Sequence, residues 1–213
     1  TNSGFAEIFI VFAKIEDDEK LSAFIIEKSF GGITLGEEEK KLGIKGSSTR
    51  QVYFENCPVP MENLLGKRND GFKIALNILN SGRIKLSAAT IGGSKFALSK
   101  AIQYSIEREQ FGKSIGEFTA MQYKIGEMAR KIFSAESAVY RTGRNIDLKE
   151  KELKENKIPK NEIKLKGLRE YAIECSLMKV YASEVLDYCV DESLQIHGGM
   201  GYSVETKVEM GYR

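Results

Sequence analysis

Two periodicities divide this chain. From Thr1 to about Gly66 the apolar residues fall in short β-branched or aromatic runs: "EIFIVFA" (Glu7–Ala13), "AFIIE" (Ala23–Glu27) and "QVYFE" (Gln51–Glu55). Such runs, bounded by charged or glycine-rich turns, predict strands. The turn "KIEDDEK" separates the first two, and Pro58 and Pro60 in "CPVP" stop the third, because proline cannot donate to a ladder. Between them, "FGGITLGEEEKKLGIKGSS" reads as loop with short strands. Few strands are visible, so the sheet they predict is incomplete.

Beyond "NLLGKRNDG" the period becomes helical. "FKIALNIL" starts one helix, and a long one is predicted from about Arg83 to Glu109. Its first half carries Ala88, Ala89, Gly92 and Gly93, small residues that permit close helix contact. The clearest stripe is Phe118, Met121, Ile125, Met128, Ile132, Ala135 and Val139, with steps alternating between three and four. A further helix is predicted from about Asn161 to Ile196, carrying Leu168, Ala172, Cys175, Met178, Ala182, Val185 and Cys189. Long helices with short connections predict an antiparallel bundle, with room for a further helix to complete it. The mixed-charge run "DLKEKELKENKIPKNEIKLK" (Asp147–Lys166), broken at Pro159, reads as a solvated helix end and connecting loop.

Composition changes this picture little. The 213 residues are 42% hydrophobic and 29% charged, an ordinary globular profile. A net charge of +2 gives no case for nucleic-acid binding. No apolar run approaches the roughly 20 residues of a membrane span. The chain begins at Thr1 without methionine, which suggests a piece of something longer. Cys175 and Cys189 fall on one predicted helix. At about 1.5 Å per residue they lie roughly 21 Å apart, too far for a disulfide, and a reducing compartment fits. With a single histidine and no CxxC pair, the sequence offers no metal site and no triad needing a second histidine.

Three short motifs carry candidate chemistry. "SLQIHGGMGYS" (Ser193–Ser203) places three glycines beside the only histidine. A dinucleotide fingerprint is excluded, because the third glycine position holds Val204 and the preceding element is a helix. Glycine ending a helix makes a C-cap the local reading. "SIEREQFGKSIGEF" (Ser105–Phe118) sets Arg108 and Phe111 at a helix end before a Gly turn. Arg108 is either a clamp for phosphate oxygens or a surface ion pair with Glu107 or Glu109, and Phe111 either a staple between helices or a stacking ring. "LNSGRIK" (Leu79–Lys85) puts Arg83 beside Gly82 and near Asn80, either a site for an anion or a turn with an exposed arginine.

In this order, "TNSG", "FGGITLGEEEKKLGIKGSSTRQVYFENCPVPMENLLG", "GFKIALNILNSGR", "YSIEREQFGKSI" and "QIHGGMGY" make a colinear set that resembles the acyl-CoA dehydrogenases over essentially the whole chain. The "GITLGEEEKKLGIKGSST" and "LNSGR" segments are most similar to the very-long-chain branch. The resemblance implies an α+β fold in which residues 1–66 are the C-terminal part of a middle β domain. Residues 67–213 are then a truncated antiparallel C-terminal helical bundle, with an N-terminal helical domain and the end of the bundle lying outside this chain.

The same resemblance implies FAD as cofactor. Thr1 matches the end of a flavin-contact motif, whose tryptophan is not present here. Arg108, Phe111, Gln195 and Gly199 match positions that contact the FAD of a partner subunit, and Thr119 replaces a glutamine often found after the "FGK" turn. Asn80, Ser81, Gly82 and Arg83 match the segment lining the acyl-CoA site. His197 reads as a packing or flavin-adjacent side chain, with packing favoured, and not as a catalytic group.

The implied reaction is α,β-dehydrogenation of a long- or very-long-chain acyl-CoA to the trans-2-enoyl-CoA of fatty acid β-oxidation. A glutamate takes the α-proton while the β-hydrogen leaves as hydride to flavin, and hydrogen bonds to the thioester carbonyl stabilise the enolate charge. Some branches carry this glutamate at the position of Gly82; glycine is no base, so the catalytic glutamate is expected beyond Arg213, and the fragment alone is expected to be inactive. The implied partners are the acyl-CoA substrate, electron-transfer flavoprotein and a second subunit in a homodimer or homotetramer. The implied location is the cytoplasm, or the mitochondrial matrix in a eukaryote. A non-catalytic assembly relative and an acyl-CoA oxidase are the competing readings.

Overall fold

The computed structural model describes all 213 residues. The chain divides into two compact units, Thr1–Ile78 and Leu79–Arg213. The first holds β1 (Ile8–Ala13), β2 (Ser22–Glu27), β3 (Ile33–Glu38), β4 (Arg50–Phe54) and β5 (Leu64–Leu65). β1, β2 and β5 form one antiparallel sheet, with Ile8 opposite Glu27 and Ala23 opposite Leu65. β3 and β4 form a separate hairpin whose register shifts between Leu35 and Glu38. Glu38 locks that hairpin: its carboxylate accepts from Ser48 Oγ at 2.6 Å, the Thr49 N–H at 2.8 Å and Arg50 Nε at 3.1 Å. Core is sparse here. Ala23 and Ile26 are buried, while Phe5, Ile8 and Ile10 stay exposed.

The helices are α1 (Gly71–Glu107), α2 (Thr119–Glu155), α3 (Lys160–Glu170), α4 (Ala172–His197) and the single turn α5 (Gly199–Tyr202). Lys124 pairs with Glu192, and Lys131 Nζ lies 4.7 Å above the Tyr188 ring, so the start of α2 meets the end of α4 and the two run antiparallel. The expected α2 stripe is the core: Met128, Ile132, Ala135 and Val139 are buried against Val185, Cys189, Val190 and Ile196. Burial pushes the Cys189 thiol up to about 11 and raises that of Cys175, so both pack as small apolar groups. All three cysteines are free. The α+β class expected from the sequence is the one observed: small antiparallel sheets, then an antiparallel helical bundle.

Three details differ from the sequence reading. The two helices expected before Glu109 are one helix of 37 residues. Asn77 and Asn80 are buried within it and Gly82 is helical, so tertiary packing outweighs their poor propensity, which for glycine is about 1 kcal/mol. The helix expected at 161–196 is broken at Tyr171 (φ −106°, ψ 31°) into α3 and α4. Its apolar stripe passes through the break, from Ile163 and Gly167 to Cys175 and Ala182, so periodicity does not register it.

The small residues that α1 buries are also different ones. Ala88, Ala89 and Gly92 are exposed, whereas Ser87, Thr90 and Ser94 face the bundle. Ser87 Oγ donates to the Arg83 carbonyl at 2.8 Å and Ser94 Oγ to that of Thr90 at 2.9 Å, so their hydroxyls are satisfied within the helix. Gly93 does make the close contact expected of it: a Cβ there would lie 3.0 Å from Leu186 Cδ1.

Candidate functional site

Two polar constellations stand out in the helical unit. The first joins α1 to α4. Arg83 Nη1 donates to Asn80 Oδ1 and to Ser176 Oγ, each at 2.9 Å, and Ser176 Oγ in turn donates to the Ala172 carbonyl at 2.7 Å. Asn80 is buried, Ser81 and Arg83 are half-buried, and Gly82 is exposed. These four predicted residues therefore lie on one helix, not in a turn.

The second constellation lies at the other end of α1. There the chain makes a two-residue hairpin, β6 (Glu109–Gln110) against β7 (Lys113–Ser114). Phe111 and Gly112 occupy its tip with φ of 54° and 78°, the left-handed pair such tight turns require. The turn pushes the Phe111 ring out to 92% exposure, where its one aromatic neighbour is Phe118, edge-on at 6.3 Å. The Arg108 N–H caps α1 on the Tyr104 carbonyl at 2.9 Å, while its guanidinium is exposed and makes no ion pair with Glu107 or Glu109. Thr119 opens α2.

The glycine-rich segment comes to the same place. His197 is buried and stacks on Tyr104, ring centres 4.3 Å apart and planes 25° from parallel. Its Nδ1–H donates to the Ser193 carbonyl at 2.7 Å. The packing reading of His197 fits this geometry. Gly198 (φ 55°) ends α4, its N–H bonded to the Gln195 carbonyl at 3.0 Å, and Gly199 opens α5. The Tyr104–His197 stack thus sets Arg108 and Phe111 at the same end of the bundle as Gln195 and Gly199. Gln195 is exposed, and a Cβ on Gly199 would meet nothing within 4 Å. Thr1 belongs to the first unit, exposed and outside any strand.

Sequence reasoning missed Tyr104 and Ser176. Tyr104 carries a signal, lying one helical turn before Arg108 at the end of α1. Ser176 carries none, since a serine on a helix beside a buried cysteine looks like any other polar position.

Residues 69–213 match the family model described as acyl-CoA dehydrogenase, C-terminal domain. A probable acyl-CoA dehydrogenase of Bacillus subtilis is 48% identical over all of this chain and 36% of its own length. The very long-chain specific acyl-CoA dehydrogenase of Rattus norvegicus is 40% identical, covering 98% of this chain and 30% of that protein. Among solved structures, the acyl-CoA dehydrogenase of Bacillus anthracis complexed with FAD superposes with a TM-score of 0.91 at 47% identity, over all of this chain and 36% of that one. This chain belongs to the acyl-CoA dehydrogenase family. It spans about a third of the length of each of these three relatives.

Proposed function

We propose that this chain is the acyl-CoA- and FAD-facing part of an enzyme that desaturates long- or very-long-chain acyl-CoA at the α,β bond and passes the electrons to electron-transfer flavoprotein. In this reading residues 1–66 close a middle β domain, with Thr1 near flavin, and residues 67–213 are a bundle that pairs with that of a second subunit. The observation that carries it is the cluster at the end of α1. An arginine with no ion pair, an amide side chain and an aromatic ring held out by a tight turn share one end of the bundle. That donor set suits a dinucleotide: Arg108 and Gln195 offer hydrogens to phosphate oxygens, Phe111 offers a face, and the unencumbered backbone at Gly199 permits close approach.

FAD, when bound, supplies the hydride acceptor. The chain's own residues position what reacts. Arg83 presents a permanent positive charge at the α1–α4 junction, suited to an anionic group of the ligand. The base is assigned to no residue here, because Gly82 carries no acid.

The complete protein tests this directly. With flavin bound, it is expected to reduce an artificial electron acceptor when given long acyl-CoA, with turnover falling as the acyl chain shortens and little peroxide formed. Flavin-loaded protein inert toward every chain length sinks the proposal, and peroxide formation matching turnover makes it an oxidase.

A further inference from the structure

Arg83 is the half-buried cation of the α1–α4 junction, and no carboxylate lies within ion-pair distance of it. Its protein partners are two neutral acceptors on one nitrogen: Asn80 Oδ1 and Ser176 Oγ both take hydrogens from Nη1. Nε and Nη2 donate to nothing in the protein. The Ser176 hydroxyl is committed as well. Its single hydrogen goes to the Ala172 carbonyl, so it meets Arg83 with lone pairs only. Arg83, Ser176, Ala172, Ile173, Leu177 and Val180 line a shallow depression of about 440 Å³ whose remaining walls are apolar. Asn80 is three residues away on Arg83's own helix; Ser176, 93 residues away, is the contact that ties the guanidinium to α4.

From this geometry we infer that Ser176 is a positioning residue for Arg83. By accepting at Nη1 without neutralising the charge, it fixes the plane of the guanidinium and keeps Nε and Nη2 for an anionic group of the ligand. A carboxylate in its place would consume the charge, and an alanine would release the side chain to its other rotamers. The break at Tyr171, which starts α4 afresh at Ala172, belongs to the same device: the Ala172 carbonyl orients the serine hydroxyl. The assignment rests on the reading of Asn80–Arg83 as part of the acyl-CoA site.

The test uses the complete, flavin-loaded protein and a long-chain acyl-CoA. Ser176→Ala is expected to raise KM roughly tenfold with kcat changed by no more than about twofold, the pattern of lost ligand binding through a charged hydrogen-bond donor. Ser176→Thr keeps the hydroxyl and its bond to the preceding turn, and recovers most of the loss. Ser176→Cys, near-isosteric but a poor acceptor, gives the Ala result if Ser176→Ala is too unstable to purify. Combined with Arg83→Lys, Ser176→Ala adds no further loss, because its effect passes through the guanidinium. Additive losses, an unchanged KM, or flavin release from Ser176→Ala would each overturn the assignment while leaving the acyl-CoA reading intact. A wild-type protein that turns over no acyl-CoA overturns the reading, and this assignment with it.

Discussion

A Cβ built on Gly201 would sit 2.4 Å from the Leu194 carbonyl oxygen, whereas one on Gly199 would find open space. The sequence shows a Gly-Gly-x-Gly cluster but does not say which glycine the turn needs, since the answer depends on how closely α5 folds back on the end of α4. The obstacle at Gly201 is backbone, which cannot swing aside as a side chain can. Gly201→Ala is therefore expected to destabilise the bundle by about 2 kcal/mol, and Gly199→Ala by much less. Denaturant titration of the two variants checks this; equal midpoints contradict it. Gly199 keeps its proposed role only as a point of backbone approach, and Gly198 supplies the positive φ that ends α4.

At the scale of elements, the β3–β4 hairpin depends on a charged hub that strand propensity does not reveal. The Ser48 hydroxyl first, then the Thr49 N–H and the Arg50 charge, hold the Glu38 carboxyl below its ordinary value of 4.5. A carboxyl depressed on folding stabilises the fold above its unfolded value, and that contribution is lost as pH falls through the lowered folded value. Thermal unfolding of Glu38→Gln should show a lower Tm than wild type at neutral pH, with the gap closing as the pH drops below about 4.5. A gap independent of pH would show that packing, and not charge, is what Glu38 contributes. Of the hairpin's strands, β4 is legible from its β-branched and aromatic residues, and β3 only as a short strand within a loop-like, glycine- and charge-rich segment. The Glu38–Ser48–Arg50 cluster is not legible, because it depends on the register shift between Leu35 and Glu38. α1 teaches a related lesson. "NSG" reads locally as a helix break, yet the buried Asn80 bonds to Arg83 within an unbroken helix.

Across the whole molecule the two units differ in how much apolar surface they bury. The helical unit has a continuous core built from α1, α2 and α4, while the first unit, with its short strands, buries few apolar side chains beyond Ala23 and Ile26. Local opening free energy follows buried contacts, so amide exchange is expected to be slowest around Met128–Val139 of α2 and faster by an order of magnitude or more in β1 and β3. Uniform protection across both units would contradict that ordering. No helix is long and apolar enough to cross a membrane.

The sequence by itself determined the division into a strand-rich and a helical part, the faces that α2 and α4 bury, and the motifs that mark the family. All of these are local or periodic, set by which side chains avoid water and by where glycine and proline interrupt them. Only the tertiary structure decided the partnerships that build the candidate sites. Ser176 meets Arg83 across 93 residues, and Tyr104 meets His197 at the end of the bundle. Those contacts depend on the rotation and offset of one helix against another, which the packing of Met128, Ile132, Val185 and Cys189 fixes and which no single stretch of the chain encodes.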